Sequence, residues 1–131
     1  MVADGKDVHE WIRHYVPLVN AEFGLSDKNE ASIRFFDMIL PVSDYIIDDE
    51  HYVWVIPSND MWGVPYLSVV SWFIKKEHRT VGYFKKVQDE IIMLAKKHKV
   101  EYIVQGSHLN DKLHKVLERM GYKTSEMRRY L

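Results

Sequence analysis

The sequence predicts one mixed α/β domain that covers residues 1–131 and is built around a central sheet. Three features support this fold class. Apolar residues recur at helical spacing near the start of the chain and again after Gly82. Residues 44 to 76 are rich in β-branched and aromatic residues and are divided by turn residues. Residues 66 to 105 read as strand, helix and strand, an order that predicts two parallel strands joined by a crossover.

The first helix is expected over residues 5 to 23. Its apolar stripe should consist of Val8, Trp11, Ile12, Tyr15 and Val19. Pro17 lies inside this segment, and because proline has no backbone N–H we expect the helix to kink or restart there. Gly24 is the expected stop.

The second helix should span about Asp27 to Leu40 and end at Pro41. Asp27 can cap this helix, and Glu30, three residues later, can bond back to the cap, which is a capping-box arrangement. The apolar side of the helix should consist of Ile33, Phe35, Phe36 and Ile39.

An antiparallel meander of three strands is expected next. The runs "DYIID" and "HYVWVIPS" flank Asp49 and Glu50, and this pattern predicts a hairpin. The turn-rich run "SNDMWG" follows, and after Pro65 comes "YLSVVSWFIKK", whose β-branched and aromatic residues favour a third strand. The meander therefore supplies most of the sheet.

A strand and two helices are expected in the second half of the chain. The helix after Gly82 should bury the stripe formed by Phe84, Val87, Ile91, Leu94 and Ala95. The run "VEYIVQ" predicts the strand parallel to the third one. A last helix should begin near Asn110 and stop at Gly121 in the left-handed conformation, and "YKTSEMRRYL" should form one or two closing strands.

Composition excludes several classes of function. The net charge is −1, with 18 basic and 19 acidic side chains, so a broad nucleic-acid surface is not expected. There is no cysteine, and no apolar run approaches the ~20 residues of a membrane span, which favours a cytoplasmic protein. Seven histidines are present, but His9 and His14 are five residues apart and His108 and His114 six, so neither pair shares a helical face and no metal site is expected.

Two motifs resemble those of the GNAT superfamily of N-acetyltransferases. The first consists of Arg79, Thr80, Val81, Gly82, Tyr83 and Phe84, between a long strand and a helix. The family pattern is Arg or Gln, two variable residues, Gly, one variable residue, then Gly or Ala, and Phe84 departs from it. The second is "NDKLHKVLERMGY", residues 110 to 122, which is similar to a stretch of ribosomal-protein N-terminal acetyltransferases. The family usually has a strand before its first helix, and "MVADG" is too short to form one.

The resemblance implies a strand–helix–strand unit that binds acetyl-CoA. The backbone N–H groups of Thr80 to Phe84 would hold the pyrophosphate, with Arg79 in support. Gly82 would let the backbone approach closely, or it is an ordinary turn glycine. The pantetheine arm would pair with the backbone at Ile74. Asn110 would help to hold this arm, or it is the N-cap of the last helix, or both.

The catalytic residues are left open by the resemblance. Ser68 stands where many relatives carry a glutamate base, and Leu117 stands where many carry a tyrosine acid. Glu50, His51 and His108 lie at loop edges and are alternative bases.

Two functions are compatible with these features. The first is an N-acetyltransferase that moves an acetyl group from acetyl-CoA to an amine of a protein or small molecule. The alternative is an inactive GNAT-like binding or structural protein, similar to bacteriophage proteins of the particle or of host takeover, and then associated with the virion. A protein partner could bind the apolar turn around Trp62. Phe84 should face the sheet and weaken the binding of acetyl-CoA.

Overall fold

The computed structural model describes residues 5–105, 115 and 117–123, and it has the expected mixed α/β architecture. Two helices come first, α1 (Gly5–Glu22) and α2 (Asn29–Ile39). Three antiparallel strands follow, β1 (Asp44–Ile47), β2 (His51–Asn59) and β3 (Pro65–Ile74). Helix α3 (Val81–Lys97) then leads to β4 (Tyr102–Gln105), which pairs in parallel with β3. The order across the sheet is β1-β2-β3-β4.

The sheet separates two hydrophobic cores, because successive side chains of a strand point to opposite faces. One face packs against α1 and α2, and its buried residues are Val8, Ile12, Tyr15, Val16, Phe36, Ile39, Ile47, Tyr52, Trp54 and Phe73. The other face packs against α3, and its buried residues are Val53, Val55, Leu67, Val69, Ile74, Val87, Ile91, Leu94 and Ala95. The described residues therefore form three layers, with the sheet between α1 and α2 on one face and α3 on the other.

Helix α1 differs from the expectation at Pro17. The helix runs through Pro17 from Gly5 to Glu22 without a break. Proline forfeits a single hydrogen bond, the one that its missing N–H would give to the carbonyl of Arg13, and burial of the apolar stripe on the sheet outweighs that loss. Gly24 ends the segment as expected, with a φ of 69° that suits glycine.

The start of α2 is a correction. Asp27 lies in a single 3-10 turn, Ser26–Lys28, and no side chain caps the helix, which begins at Asn29. Glu30 instead pairs with Arg34, one turn further on. The capping box fails because the chain enters α2 through a continuous turn rather than from the extended backbone that a capping residue requires. Phe35, expected on the apolar side, is 42% exposed.

The turn between β1 and β2 is built by Asp48. Its Oδ1 accepts hydrogen bonds from the backbone N–H groups of Glu50 (2.8 Å) and His51 (2.9 Å), and its own N–H donates to the His51 carbonyl (3.0 Å). Aspartate suits this role because its short side chain can bond backbone groups two and three residues on. The predicted hairpin is confirmed.

A β-bulge interrupts the pairing of β2 with β3. Trp54 lies opposite Ser71 and Val55 opposite Val69, so Val70 is an extra residue in β3. A bulge bends its strand and raises the local twist. Beyond β4, Leu117 is buried and Gly121 has a φ of 98°, so the expected left-handed stop is confirmed. Asn110, the predicted closing strands and the residues before α1 lie outside the described residues.

The turn predicts a pH dependence of stability. Burial alone would raise the pKa of Asp48, but the N–H groups of Glu50 and His51 and the nearby His51 ring together hold this pKa below its ordinary value of 3.8. A lowered pKa stabilises the fold above the ordinary value, and the benefit is lost as the pH falls through the folded-state pKa. Asp48→Asn keeps an acceptor oxygen, so we expect it to be less stable than the wild type at neutral pH and equally stable in strong acid. Urea unfolding across this range measures the difference, and a difference that does not change with pH contradicts the assignment.

Candidate functional site

The second half of β3 has one edge released from the sheet. Pairing with β4 runs from Tyr66 opposite Tyr102 to Val69 opposite Gln105, and β3 then continues to Ile74. The bulge at Val70 begins where this pairing ends. Because a bulge turns the strand away from its neighbour, no described strand pairs with β3 on the side of β4 after Val69, and residues 106–114, which follow β4, lie outside the described residues.

The first turn of α3 leaves two N–H groups unused. Thr80 caps the helix: its Oγ1 accepts from the N–H of Tyr83 (3.1 Å), and its carbonyl accepts from the N–H of Phe84 (3.0 Å). The N–H of Thr80 donates to the His78 carbonyl. The expected cradle of N–H groups from Thr80 to Phe84 is therefore reduced to Val81 and Gly82, whose N–H groups have no partner among the described residues.

The described fold does not itself require glycine at position 82. A Cβ atom on Gly82 would meet no other atom closer than Thr80 Oγ1, at 4.0 Å, and the backbone there is not in the left-handed region. Nothing inside the described fold thus excludes a side chain at this position. A ligand that approaches the backbone closely would be a reason for glycine.

The charged side chains near the first turn of α3 favour a bound anion more than they complement the dipole of the helix. The first turn of α3 contains no acidic residue, although the helix dipole favours one there. Lys85 and Lys86 instead follow within the next turn, and they line a shallow surface depression together with Gly82, Asp89, Glu90 and Met93. Lys85 is paired with Asp89 (3.1 Å). A helix start with free N–H groups, a bare glycine and two lysines is a binding place for a phosphate or a carboxylate.

Arg79 and Ile74, two of the predicted ligand contacts, already contact each other. The Nε of Arg79 donates to the Ile74 carbonyl (2.8 Å), and its Nη2 donates to the carboxylate of Glu22. The N–H of Lys75 donates to the Glu50 carbonyl (2.8 Å). The Ile74 carbonyl is therefore not free for a ligand while Arg79 keeps this position.

Phe84 faces the sheet, as expected, and lies beside the free edge of β3. Its ring packs edge-on against Trp72, with the ring centres 5.5 Å apart. The Nε1 of Trp72 donates to Oε1 of Gln105 at the end of β4 (2.6 Å). Phe84 and Trp72 thus occupy the α3 side of the opening between the two strands.

A polar network at the end of β4 was missed by the sequence reasoning. The amide of Gln105 exchanges hydrogen bonds with the amide of Gln88 on α3 and donates to the hydroxyl oxygen of Tyr122 (3.1 Å). Gln88 is 2% exposed, within the apolar stripe of α3. A glutamine in such a stripe is a signal that could have been read, since a buried amide needs partners.

Comparisons with known proteins identify the fold. No protein-family model and no curated protein sequence matches the chain. Solved structures do match. A candidate acetyl transferase of Pyrococcus furiosus has a TM-score of 0.78 at 16% identity, over 100% of this chain and 97% of the other. A possible acetyltransferase of Clostridium difficile 630 has a TM-score of 0.70 at 14% identity, over 98% and 92%.

A third match carries a more specific name. The ribosomal-protein-alanine N-acetyltransferase of Brucella melitensis biovar Abortus 2308 has a TM-score of 0.61 at 14% identity, over 94% of this chain and 93% of that one. The chain has the GNAT acetyltransferase fold. The sequence identities establish the fold alone, and the chemistry has to be argued from the residues of this chain.

Ser68 and Leu117, at the positions where many relatives carry a base and an acid, lack the surroundings of catalytic groups in this GNAT fold. Ser68 makes no side-chain hydrogen bond to a described residue, and a serine without a partner is a poor base. The nearby Ser71 is bonded to the Tyr52 hydroxyl (2.6 Å), and burial raises the pKa of Tyr52 to about 12. Leu117 is apolar and buried. His108 lies outside the described residues.

His51, expected at a loop edge, is a buried structural residue instead. Its ring is 0% exposed. Nε2 lies 2.5 Å from a Glu90 carboxylate oxygen, and Nδ1 lies 2.9 Å from the Tyr83 hydroxyl and 3.1 Å from Asp48 Oδ2. An acceptor amine cannot reach this ring, so His51 is not the base. It joins the start of β2 to the first and third turns of α3.

The described residues contain no group of three or more histidine, aspartate or glutamate side chains placed to hold a metal ion. They also contain no helix long and apolar enough to cross a membrane. Trp62 is 80% exposed on a turn that Asp60 holds through the N–H groups of Trp62 (2.9 Å) and Val64 (3.0 Å). That this ring contacts a partner stays a prediction.

The His51 cluster predicts a large difference between two neighbouring acids. Glu90→Ala leaves the buried Nε2 of His51 without its partner, so we expect a loss of about 3 kcal/mol in the free energy of unfolding. Asp89→Ala removes only an exposed pair with Lys85, one helical turn away, and should cost less than about 0.5 kcal/mol. Chemical denaturation of both variants tests this. Equal small losses would mean that His51 does not depend on Glu90.

Proposed function

We propose that the chain is an N-acetyltransferase that takes an acetyl group from acetyl-CoA and transfers it to an amine of a protein or small molecule. The observation that carries the proposal is the first turn of α3, where free N–H groups and Gly82 lie beside Lys85 and Lys86 and no acidic residue is present. Asp89 and Glu90 lie one turn further along the same depression, and Asp89 pairs with Lys85. Support comes from the fold, which the chain shares with structures described as acetyltransferases.

The residues fit acetyl-CoA at two places. The N–H groups of Val81 and Gly82, with Lys85 and Lys86, would bind the pyrophosphate, since unpaired donors at a helix start favour oxyanions. The free edge of β3 after Val69 would pair with the amides of the pantetheine arm. Thr80, Tyr83 and Phe84 would shape this place through the cap and the ring rather than through their N–H groups. Asn110 would help to hold the pantetheine arm, as the resemblance implies.

The chain itself would contribute to the reaction by positioning the amine against the thioester. When bound, acetyl-CoA supplies a thioester, which is an activated acyl group. Holding the amine against it at the released edge replaces a collision in solution, an effect that can be worth several kcal/mol. The amine must arrive without its proton, because an ammonium group has no lone pair. Ser71, Gln88 and Gln105 near the edge are bonded to neighbours and are not bases at neutral pH.

In the alternative function, that of an inactive binding or structural protein, the chain keeps the GNAT fold but does not bind acetyl-CoA. Phe84 and Trp72 narrow the opening beside β3, and this favours weak binding of acetyl-CoA. No described contact favours a role in a bacteriophage particle or in host takeover over acetyl transfer. Calorimetry with acetyl-CoA separates the two functions directly.

Gly82 provides a test that separates function from folding. Gly82→Ala meets no atom of the fold and replaces a poor helix former, so the free energy of unfolding should stay equal or rise by up to about 1 kcal/mol. The same methyl group would block close approach of a pyrophosphate, and the affinity for acetyl-CoA should fall about tenfold or more. Calorimetry and urea unfolding are measured on the same sample. An unchanged affinity would show that the ligand does not approach Gly82.

Phe84 provides the complementary test. We expect the wild type to bind acetyl-CoA at roughly tens of micromolar or more weakly, and Phe84→Ala to bind it more tightly because the opening beside Trp72 widens. Loss of this half-buried ring should cost about 1–3 kcal/mol of stability. Phe35→Ala on α2 is the matched control and should leave the affinity unchanged. Tight binding by the wild type would show that the ring does not narrow the channel, and no binding by either form would favour the inactive protein.

A further inference from the structure

Arg79 is bound to the end of α1. Its Nη2 donates to Oε2 of Glu22, and its Nε donates to the carbonyl of Ile74 (2.8 Å). The guanidinium carbon lies 5.0 Å from the centre of the Phe73 ring. The Nε–Nη2 edge of a guanidinium can bind one oxyanion through two parallel hydrogen bonds. In Arg79 this edge is already divided between two acceptors of the chain itself.

Glu22 is poorly placed for the helix that it ends. It is the last residue of α1, where the carbonyl ends of the helix carry partial negative charge and disfavour a carboxylate. The last turn of α1 contains no basic residue, and the Glu22 side chain is only 28% exposed. Within the described residues, Arg79 is the cation that Glu22 contacts. The carboxylate therefore depends on Arg79 for its compensation.

The connection between α1 and α2 begins directly after Glu22. The N–H of Leu25 donates to the carbonyl of Asn20 (2.7 Å), and the Asn20 amide donates to Ser32 on α2 (3.1 Å). The ring of Phe23 packs edge-on against Phe73, with the centres 6.2 Å apart. The connection, residues 23–28, thus starts beside the Glu22–Arg79 pair and packs on Phe73 near the end of β3.

We propose that Glu22 is an internal competitor for Arg79. An oxyanion bound at the first turn of α3 takes over the Arg79 guanidinium, and Glu22 is released together with the connection after α1. The physical reason is that Arg79 stands two residues before the free N–H group of Val81, and its bidentate edge can serve one anion fully or two anions partly. The identity of the anion, a CoA ester, rests on the proposed function, whereas the competition requires only an oxyanion.

Two glutamine variants test the competition. Glu22→Gln keeps the shape of the side chain and removes the competing charge. Glu77→Gln is the matched control, because Glu77 lies two residues before Arg79, is exposed, and has no hydrogen bond or ion pair to another described residue. CoA and inorganic pyrophosphate are each titrated by calorimetry at low ionic strength, where charge effects are least screened. Glu22→Gln should bind both about fivefold more tightly than the wild type, and Glu77→Gln should change by less than about twofold.

Amide hydrogen exchange gives a second readout that does not depend on affinity. Exchange at residues 23–28 should be faster in Glu22→Gln than in the wild type, and saturating pyrophosphate should raise it in the wild type to a similar rate. Glu77→Gln should exchange like the wild type in this segment. Slower exchange in the wild type on addition of pyrophosphate would overturn the proposal.

The outcomes separate this inference from the proposed function. If Glu22→Gln binds pyrophosphate more tightly but does not bind CoA, the competition between Glu22 and the oxyanion is supported and the proposed acetyltransferase activity is contradicted. An equal gain in affinity for Glu22→Gln and Glu77→Gln would mean that the loss of any nearby negative charge tightens binding, and this would overturn the competition. Weaker binding by Glu22→Gln would mean that Glu22 orients Arg79 for the ligand, which also overturns it. If neither anion binds to any variant, no competition exists.

Discussion

The pairing of β3 is the constraint on which the rest of the structure depends. One edge of this strand stays hydrogen-bonded to β2 from Pro65 to Ile74, whereas the other edge is bonded to β4 only as far as Val69. The bulge at Val70 reconciles the two requirements, because it lets β3 bend away from β4 without leaving β2. The edge released in this way costs backbone hydrogen bonds unless water or a ligand replaces them. In the proposed function, the pantetheine arm takes up these hydrogen bonds.

The end of β3 also determines where α3 begins. His51 pairs with Ile74 and contacts Tyr83 and Glu90, so the same strand end fixes the first and third turns of the helix. Arg79 is bonded to Ile74 and to Glu22, which adds α1 to this junction. Four elements, α1, β2, β3 and α3, therefore meet at one place.

Much of the fold could be predicted from the sequence because it depends on local periodicity. Helices α1 and α3 and the meander follow from apolar spacing, and Gly24 and Gly121 mark chain reversals that need a positive φ. Contacts between distant residues could not be predicted in this way. The pairing of Glu22 with Arg79 and of His51 with Glu90 depends on packing, and the cap expected at Asp27 fails because the entry to α2 is set by its neighbours.

The candidate site shows the same division between local and distant contacts. The motif from Arg79 to Phe84 locates the start of α3, but only the structure shows that Thr80 uses two of the N–H groups and that Arg79 is engaged elsewhere. Phe84, the residue that departs from the GNAT pattern, packs on Trp72, which in turn bonds Gln105 across the opening. These contacts stabilise the parallel pair of β3 and β4. In the proposed function the same contacts narrow the opening for the pantetheine arm, so that substitutions of Phe84 that widen it also weaken the junction between β3 and β4.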